Sequence, residues 1–148
     1  ELKDAIGDPS GYDEVVFCGF GESTERLDVL KDIAGYLKEK GSKVRLDTNG
    51  LGDLINGRSI SEELKGLVDT ICISLNTNIE DGYQKLCHSE YDDQAYPALI
   101  SFIKEARDCI PDVMISIVGM PEIDVEACRK IAEDLGVRFR VREYNNVG

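Results

Sequence analysis

A chain of 148 residues with 17 Lys and Arg against 29 Asp and Glu, a net charge of −12, lacks the clustered cations that contact with a phosphate backbone requires, so extended nucleic-acid binding is not expected. Its 42% hydrophobic content suits one buried core, hence a single domain over 1–148. No run approaches the roughly 18 apolar residues of a membrane span and no basic-then-apolar signal opens the chain, so the expectation is a soluble, cytoplasmic protein with no membrane partner.

The chain opens on Glu1 rather than Met, and Leu2, Ala5 and Ile6 share one helix face, so it is expected to begin inside a helix. Glu14 to Cys18, β-branched and aromatic and ended by glycines, predicts a buried first strand. Leu27, Leu30, Ile33, Ala34 and Leu37 then recur at helical spacing, with Lys38, Lys40 and Gly41 supplying the cationic last turn and the stop. Lys43 to Thr48 predicts a second strand closed by Asn49-Gly50. A loop follows, then a short helix through Leu64 and Leu67, for which Ser59 and Glu62 fit a capping box.

Thr70 to Leu75 predicts a third strand. Two helices come next, about Ile79 to Cys87 and then one carrying Tyr96, Leu99, Ile100, Ile103 and Ala106 that Pro111 closes. Val113 to Val118 predicts a fourth strand; Asp124 caps a helix that Gly136 stops, and Val137 to Arg142 predicts a fifth strand. The order βαβαβαβαβ argues an α/β fold with a mainly parallel sheet, either an open doubly wound sheet or part of a barrel. Both architectures place ligand sites at strand C-termini: 19–22, 48–50, 74–76, 119–122 and 143–145.

The five cysteines, at 18, 72, 87, 109 and 128, are odd in number, widely spaced and mostly inside apolar segments, so they read as reduced core thiols; His88 has no partner pattern, and no metal site is expected within the chain. At the first strand end, Gly19 and Gly21 straddle Phe20 and let backbone carbonyls approach a ligand, while Glu22 adds a carboxylate. That combination suits an ammonium group better than a phosphate, and the turn fits neither a P-loop nor G-x-G-x-x-G, where Thr24 takes the third glycine's place. Alone, it is equally a ligand-free strand-to-helix turn. Thr48 and Asn49 either hydrogen-bond a ligand or form a turn. Ser74 and Asn76 flank Leu75 and so share a side of their strand, where they either hold a ribose or, for Ser74, serve as a satisfied core hydroxyl. In the last strand Arg138, Arg140 and Arg142 alternate with Val137, Phe139 and Val141; the cationic face is either solvated or aims Arg140 or Arg142 at a substrate or cofactor carboxylate.

Taken in order, these landmarks resemble the radical S-adenosylmethionine (radical SAM) enzymes over nearly the whole chain. Gly19-Phe20-Gly21-Glu22-Ser23 resembles the family's G-G-E turn that holds the cofactor's amino group, Thr48-Asn49-Gly50 its T-N-G strand ending, and Ile73-Ser74-Leu75-Asn76 its ribose segment. Ile115 to Glu122 resembles the G-x-I-x-G-x-x-E motif near adenine, with Ile115 in the first glycine's place; it implies that Ile117 faces adenine and that Gly119 lies beside it. Residues 19–24, 48–50 and 139–145 are most similar to the subfamily associated with TatD-type nucleases.

The resemblance implies a partial (β/α)6 barrel lacking its first strand, S-adenosylmethionine as a small-molecule cofactor, and a [4Fe-4S] cluster whose cleavage of that cofactor yields a 5′-deoxyadenosyl radical. It assigns cofactor contacts to Gly19, Phe20, Gly21, Glu22, Thr48, Asn49, Ser74, Asn76, Ile117, Gly119 and Arg142. The C-x-x-x-C-x-x-C loop that binds the cluster in the family has no counterpart among the five cysteines, so the loop is expected upstream and these residues alone are expected to be inactive. Two alternatives are an aldolase-like or phosphate-binding barrel, which would want a Lys or paired acids at strand ends, and a non-catalytic flavodoxin-like module, which strand order 2-1-3-4-5 would mark.

Overall fold

Five strands, β1 (Val15–Phe17), β2 (Val44–Thr48), β3 (Thr70–Ser74), β4 (Asp112–Val118) and β5 (Arg138–Arg142), lie parallel in the sequential order 1-2-3-4-5. The computed structural model describes residues 1–144, so Asn145, the end of the last candidate strand terminus, lies outside the described residues. A sequential parallel order is what a barrel wall built of successive strand–helix units gives, and it rules out the 2-1-3-4-5 sheet of a flavodoxin-like module. Among the described residues no helix is long and apolar enough to cross a membrane.

Helix α1 (Leu2–Ile6) precedes β1, and helices α2 (Leu27–Glu39), α3 (Gly52–Asn56), α4 (Ser61–Leu64), α5 (Glu80–Cys87), α6 (Ala95–Cys109) and α7 (Val125–Leu135) connect the strands. The amphipathic spacing sets what they bury: Leu27, Leu30, Ile33, Ala34 and Leu37 of α2 and Leu99, Phe102, Ile103 and Ala106 of α6 all lie in one core cluster. Each fully buried Leu, Ile or Phe there contributes about 1.5–3 kcal/mol of transfer free energy. At α7 the Asp124 side chain accepts from Ala127 N, and Gly136 closes the helix at φ 70°, as the sequence predicts.

Two local expectations fail. The predicted capping box does not form, because α4 starts at Ser61 and Ser59 Oγ instead donates to Glu105. The Ile60 amide is satisfied by Asp53 Oδ1 at 2.9 Å, so the cap comes from seven residues upstream, and α4 stops at Leu64, before Leu67. Within the expected loop lies α3, too short to show a helical repeat; Asn56 Nδ2 anchors it by donating to Gly52 O (2.8 Å) and Thr24 O (3.0 Å).

The sheet has two unlike faces. Val44, Leu46, Ile71, Ile73, Val113, Ile115 and Ile117 join the core cluster with the helices, and Phe139 stacks under Arg129 of α7, 4.9 Å from its ring centroid. Alternation therefore sends Arg45, Asp47, Cys72, Ser74, Met114, Ser116, Arg138 and Arg140 to the opposite face. There, near the strand starts, Arg45 forks onto Asp47 (2.7 and 2.9 Å) and Arg138 onto Asp112. The Arg138 guanidinium holds the Asp112 carboxyl below its ordinary pKa, and burial opposes that shift.

Packing is tightest just after β2. Gly50 sits at φ 77°, and a Cβ there would lie 2.3 Å from Leu99 Cδ1 and 2.8 Å from Ile73 Cγ2. Gly50→Ala is expected to lower unfolding free energy by about 2–4 kcal/mol in urea titration, from overpacking plus a left-handed backbone; Gly57→Ala, with open space around its Cα, should cost about 1–2 kcal/mol.

Candidate functional site

Two strand ends, those of β1 and β2, meet around one carboxylate. Glu22 caps the 3₁₀ turn Ser23–Arg26: its Oε1 accepts from Thr24 N (3.3 Å) and Thr24 Oγ1 (2.8 Å). The same oxygen accepts from Thr48 Oγ1 at 2.6 Å, and Oε2 accepts from Asn49 N at 2.8 Å. Thr48 Oγ1 in turn accepts from Gly50 N at 3.1 Å, and Asn49 Oδ1 from Leu51 N at 2.9 Å. Charge-assisted bonds of this kind are the strong class, and here they lock the loop after β1 to the end of β2. Glu22 is thus engaged mainly with the protein, with spare acceptor capacity on Oε2.

The loop thus fixed presents Gly19 at φ 138° and Gly21 at φ 87°, with no atom within 4 Å of where a Cβ would sit on either. It is an open cradle of backbone, and Phe20 between the glycines is fully exposed.

Beside it, over the ends of β2, β3 and β4, lies a cavity of about 660 Å³. That volume falls in the range of small-molecule sites. Asn49 and Asn76 supply amides, Leu51, Val118 and Met120 apolar surface, and Tyr83 and Cys87 of α5 a phenol and a thiol. Asn76 holds φ 66°, a left-handed conformation that Asn tolerates, and its Nδ2 donates to Cys87 Sγ at 3.3 Å. Burial raises the Tyr83 hydroxyl well above its ordinary pKa, assisted by Cys87 and by the negative Glu22 nearby. Burial likewise raises the Cys87 thiol, while bonds from Asn76 and Tyr83 pull the other way. Both groups stay protonated at neutral pH.

Of the residues predicted from sequence, Asn49 and Asn76 line the cavity. Thr48 is buried behind Glu22, and the turn 19–22 stands beside the cavity rather than in its lining. Ser74, the last residue of β3, is not in the cavity lining, and Asn76, two residues past it with a left-handed backbone, bonds to Cys87 of α5. Ile117 is 0% exposed in the helix-facing core, and its neighbours Val118 and Met120 reach the cavity in its place. Gly119 N donates to Arg142 O at 2.9 Å, joining the β4 and β5 ends, and the Arg142 side chain is exposed. Sequence reasoning passed over Tyr83 and Cys87; their i, i+4 spacing puts both on one face of α5.

The five thiols do not fit a [4Fe-4S] cluster. Cys72 and Cys128 are buried, Cys87 and Cys109 half-buried, and Cys18, against the core expectation, is exposed at the end of β1. Among the described residues no three Cys, His, Asp or Glu side chains gather as a metal site.

The family model of the Radical SAM superfamily matches residues 1–135. The chain belongs to the radical SAM superfamily. Among solved structures, Streptococcus suis SuiB superposes with a TM-score of 0.66 at 18% identity, over 90% of this chain and 30% of that one. This likeness shows the fold, the partial barrel of parallel strands and helices, and the chain spans less than a third of the SuiB chain. NosK from Streptomyces actuosus covers 88% of this chain and 71% of its own at 11% identity, but its TM-score of 0.34 carries no argument. No curated protein matches the sequence.

Within this radical SAM domain the Glu22 latch is testable. Thr48→Val removes a donor to Glu22 and the acceptor of Gly50 N while keeping the shape, so it should cost about 1–3 kcal/mol in chemical denaturation, whereas Thr48→Ser should retain most of that stability.

Proposed function

We propose that the cavity over the β2–β4 ends, with the Gly19–Gly21 cradle beside it, is the S-adenosylmethionine site of a radical SAM enzyme. The observation that carries this reading is the meeting of two polar strand ends, those of β1 and β2, at Glu22 next to a cavity of about 660 Å³ over the ends of β2, β3 and β4. When bound, S-adenosylmethionine supplies the adenosyl group whose radical chemistry removes hydrogen from carbon.

The chain's own residues bind and orient. Backbone carbonyls of the turn 19–21 take the methionine ammonium; they suit a cation because carbonyls only accept. Glu22 positions that turn and adds negative potential beside it, and Thr48 holds Glu22. Asn76 faces the ribose hydroxyls with an amide able to donate and accept, and Asn49 stands across from it. Val118 and Met120 form the apolar contact for adenine, backed by Ile117 from the core, with Gly119 allowing close approach. Arg142, at the rim of β5, pairs with the methionine carboxylate, which a planar guanidinium suits. Within the superfamily, the wording of residues 19–24 and 48–50 supports a place in the subfamily associated with TatD-type nucleases.

Calorimetric titration with S-adenosylhomocysteine, a stable analogue, tests the site. Saturable binding is expected, and Asn76→Asp, which tolerates the left-handed backbone but cannot donate, should weaken it by about three- to tenfold. Absence of saturation, or affinity untouched by that change, would count against the reading.

A further inference from the structure

One layer below the cavity floor, the face of the sheet away from the helices carries a row that the contacts proposed above for the cofactor leave free, Ser74 included. The strand registers place Ser74 beside Ser116 and Ser116 beside Arg140. All three point the same way, opposite to Ile73, Ile115 and Phe139, which pack toward the helices. The next row up contains Val118 and Arg142, so Ser74, Ser116 and Arg140 lie two residues, about 6.6 Å, deeper along their strands than the cavity lining. From Ser74 to Arg140 the row crosses two strand spacings, about 10 Å, a gap that a long guanidinium side chain and a bound anion can fill together.

Charge separates Arg140 from its neighbours. On the same face Arg45 is paired with Asp47 and Arg138 with Asp112, both in forked contacts. Arg140 enters none of the ion pairs formed among the described residues. In a chain of net charge −12, an exposed arginine in register with two serines, and in no ion pair among the described residues, is positioned to receive an anion from outside.

We propose that Ser74, Ser116 and Arg140 form a substrate subsite for the carboxylate of a small organic acid. One guanidinium forks onto the two oxygens of a monoanionic carboxylate, and the serine hydroxyls donate to the remaining lone pairs. A phosphate monoester, with a charge near −1.5 to −2, would call for a second cation in the row, and Ser74 and Ser116 offer none. The proposal rests on the cofactor reading for its meaning. Anchored one layer below the cofactor, an acid would present the carbons a few bonds from its carboxylate to the adenosyl group.

The test is an NMR titration of ¹⁵N-labelled protein with sodium propionate, against sodium chloride of equal ionic strength and against inorganic phosphate. Propionate is expected to move the Ser74, Ser116 and Arg140 amides. Arg140→Gln should weaken that binding about tenfold or more, while Lys130→Gln on the outer face of α7 leaves it unchanged. Equal shifts with chloride, tighter binding of phosphate, or propionate binding that survives Arg140→Gln overturns the carboxylate subsite. A parallel titration with S-adenosylhomocysteine, read at Asn49 and Asn76, separates the two ideas. Propionate shifts without S-adenosylhomocysteine shifts leave the subsite standing and remove the cofactor reading. S-adenosylhomocysteine shifts without propionate shifts do the reverse.

Discussion

The carboxylate of Glu22 is the constraint on which the site depends. Loops after parallel strands have no ladder of their own, and their backbone groups must find partners elsewhere. Here one side chain satisfies Thr24 and Asn49 amides and two threonine hydroxyls, so the loops following β1 and β2 become a single unit. The glycines at 19 and 21 then hold positive φ in a fixed frame, while Gly50 passes so close to Leu99 and Ile73 that no side chain fits. A turn that many folds would tolerate becomes a preorganised wall, and preorganisation lowers the ordering cost of binding a ligand.

The two faces of the sheet divide the remaining labour. The helix-facing side is aliphatic from Val44 to Ile117 and provides the stabilising burial. The opposite side is polar: at its lower end the Arg45–Asp47 fork runs along β2 and the Arg138–Asp112 fork cross-links β5 to β4, and it is open toward the strand C-termini. Parallel strands with helices on one side leave the other side for a ligand. The cavity and the Ser74–Ser116–Arg140 row occupy successive layers of that surface.

Much of the fold was legible because it rests on periodicity. Leu27, Leu30, Ile33, Ala34 and Leu37 are all buried where the helical spacing puts them, and every predicted strand is present with its ends moved by no more than one residue. Where contacts are non-local the reading fell short. Asp53 rather than Ser59 serves the start of α4, and α3 is held by Asn56 reaching back to Thr24, neither of which leaves a repeat in the sequence. The site shows the same division. Order along the chain singled out 19–22, 48–50 and 74–76, but strand alternation carries no sign of the left-handed backbone at Asn76 or its bond to Cys87, and it could not tell that Ile117 lies in the helix-facing core while Val118 and Met120 line the cavity. Glu22 was found for its charge, yet its hydrogen bonds make it first an organiser of the turn.

The most direct measurement is a crystal structure of the protein grown with S-adenosylhomocysteine. The expected result is nucleoside density across the ends of β2, β3 and β4, with the ribose against Asn76, adenine against Val118 and Met120, and the amino group at the Gly19–Gly21 carbonyls. Nucleoside bound elsewhere, or strand ends left empty at saturating ligand, would contradict the proposed site.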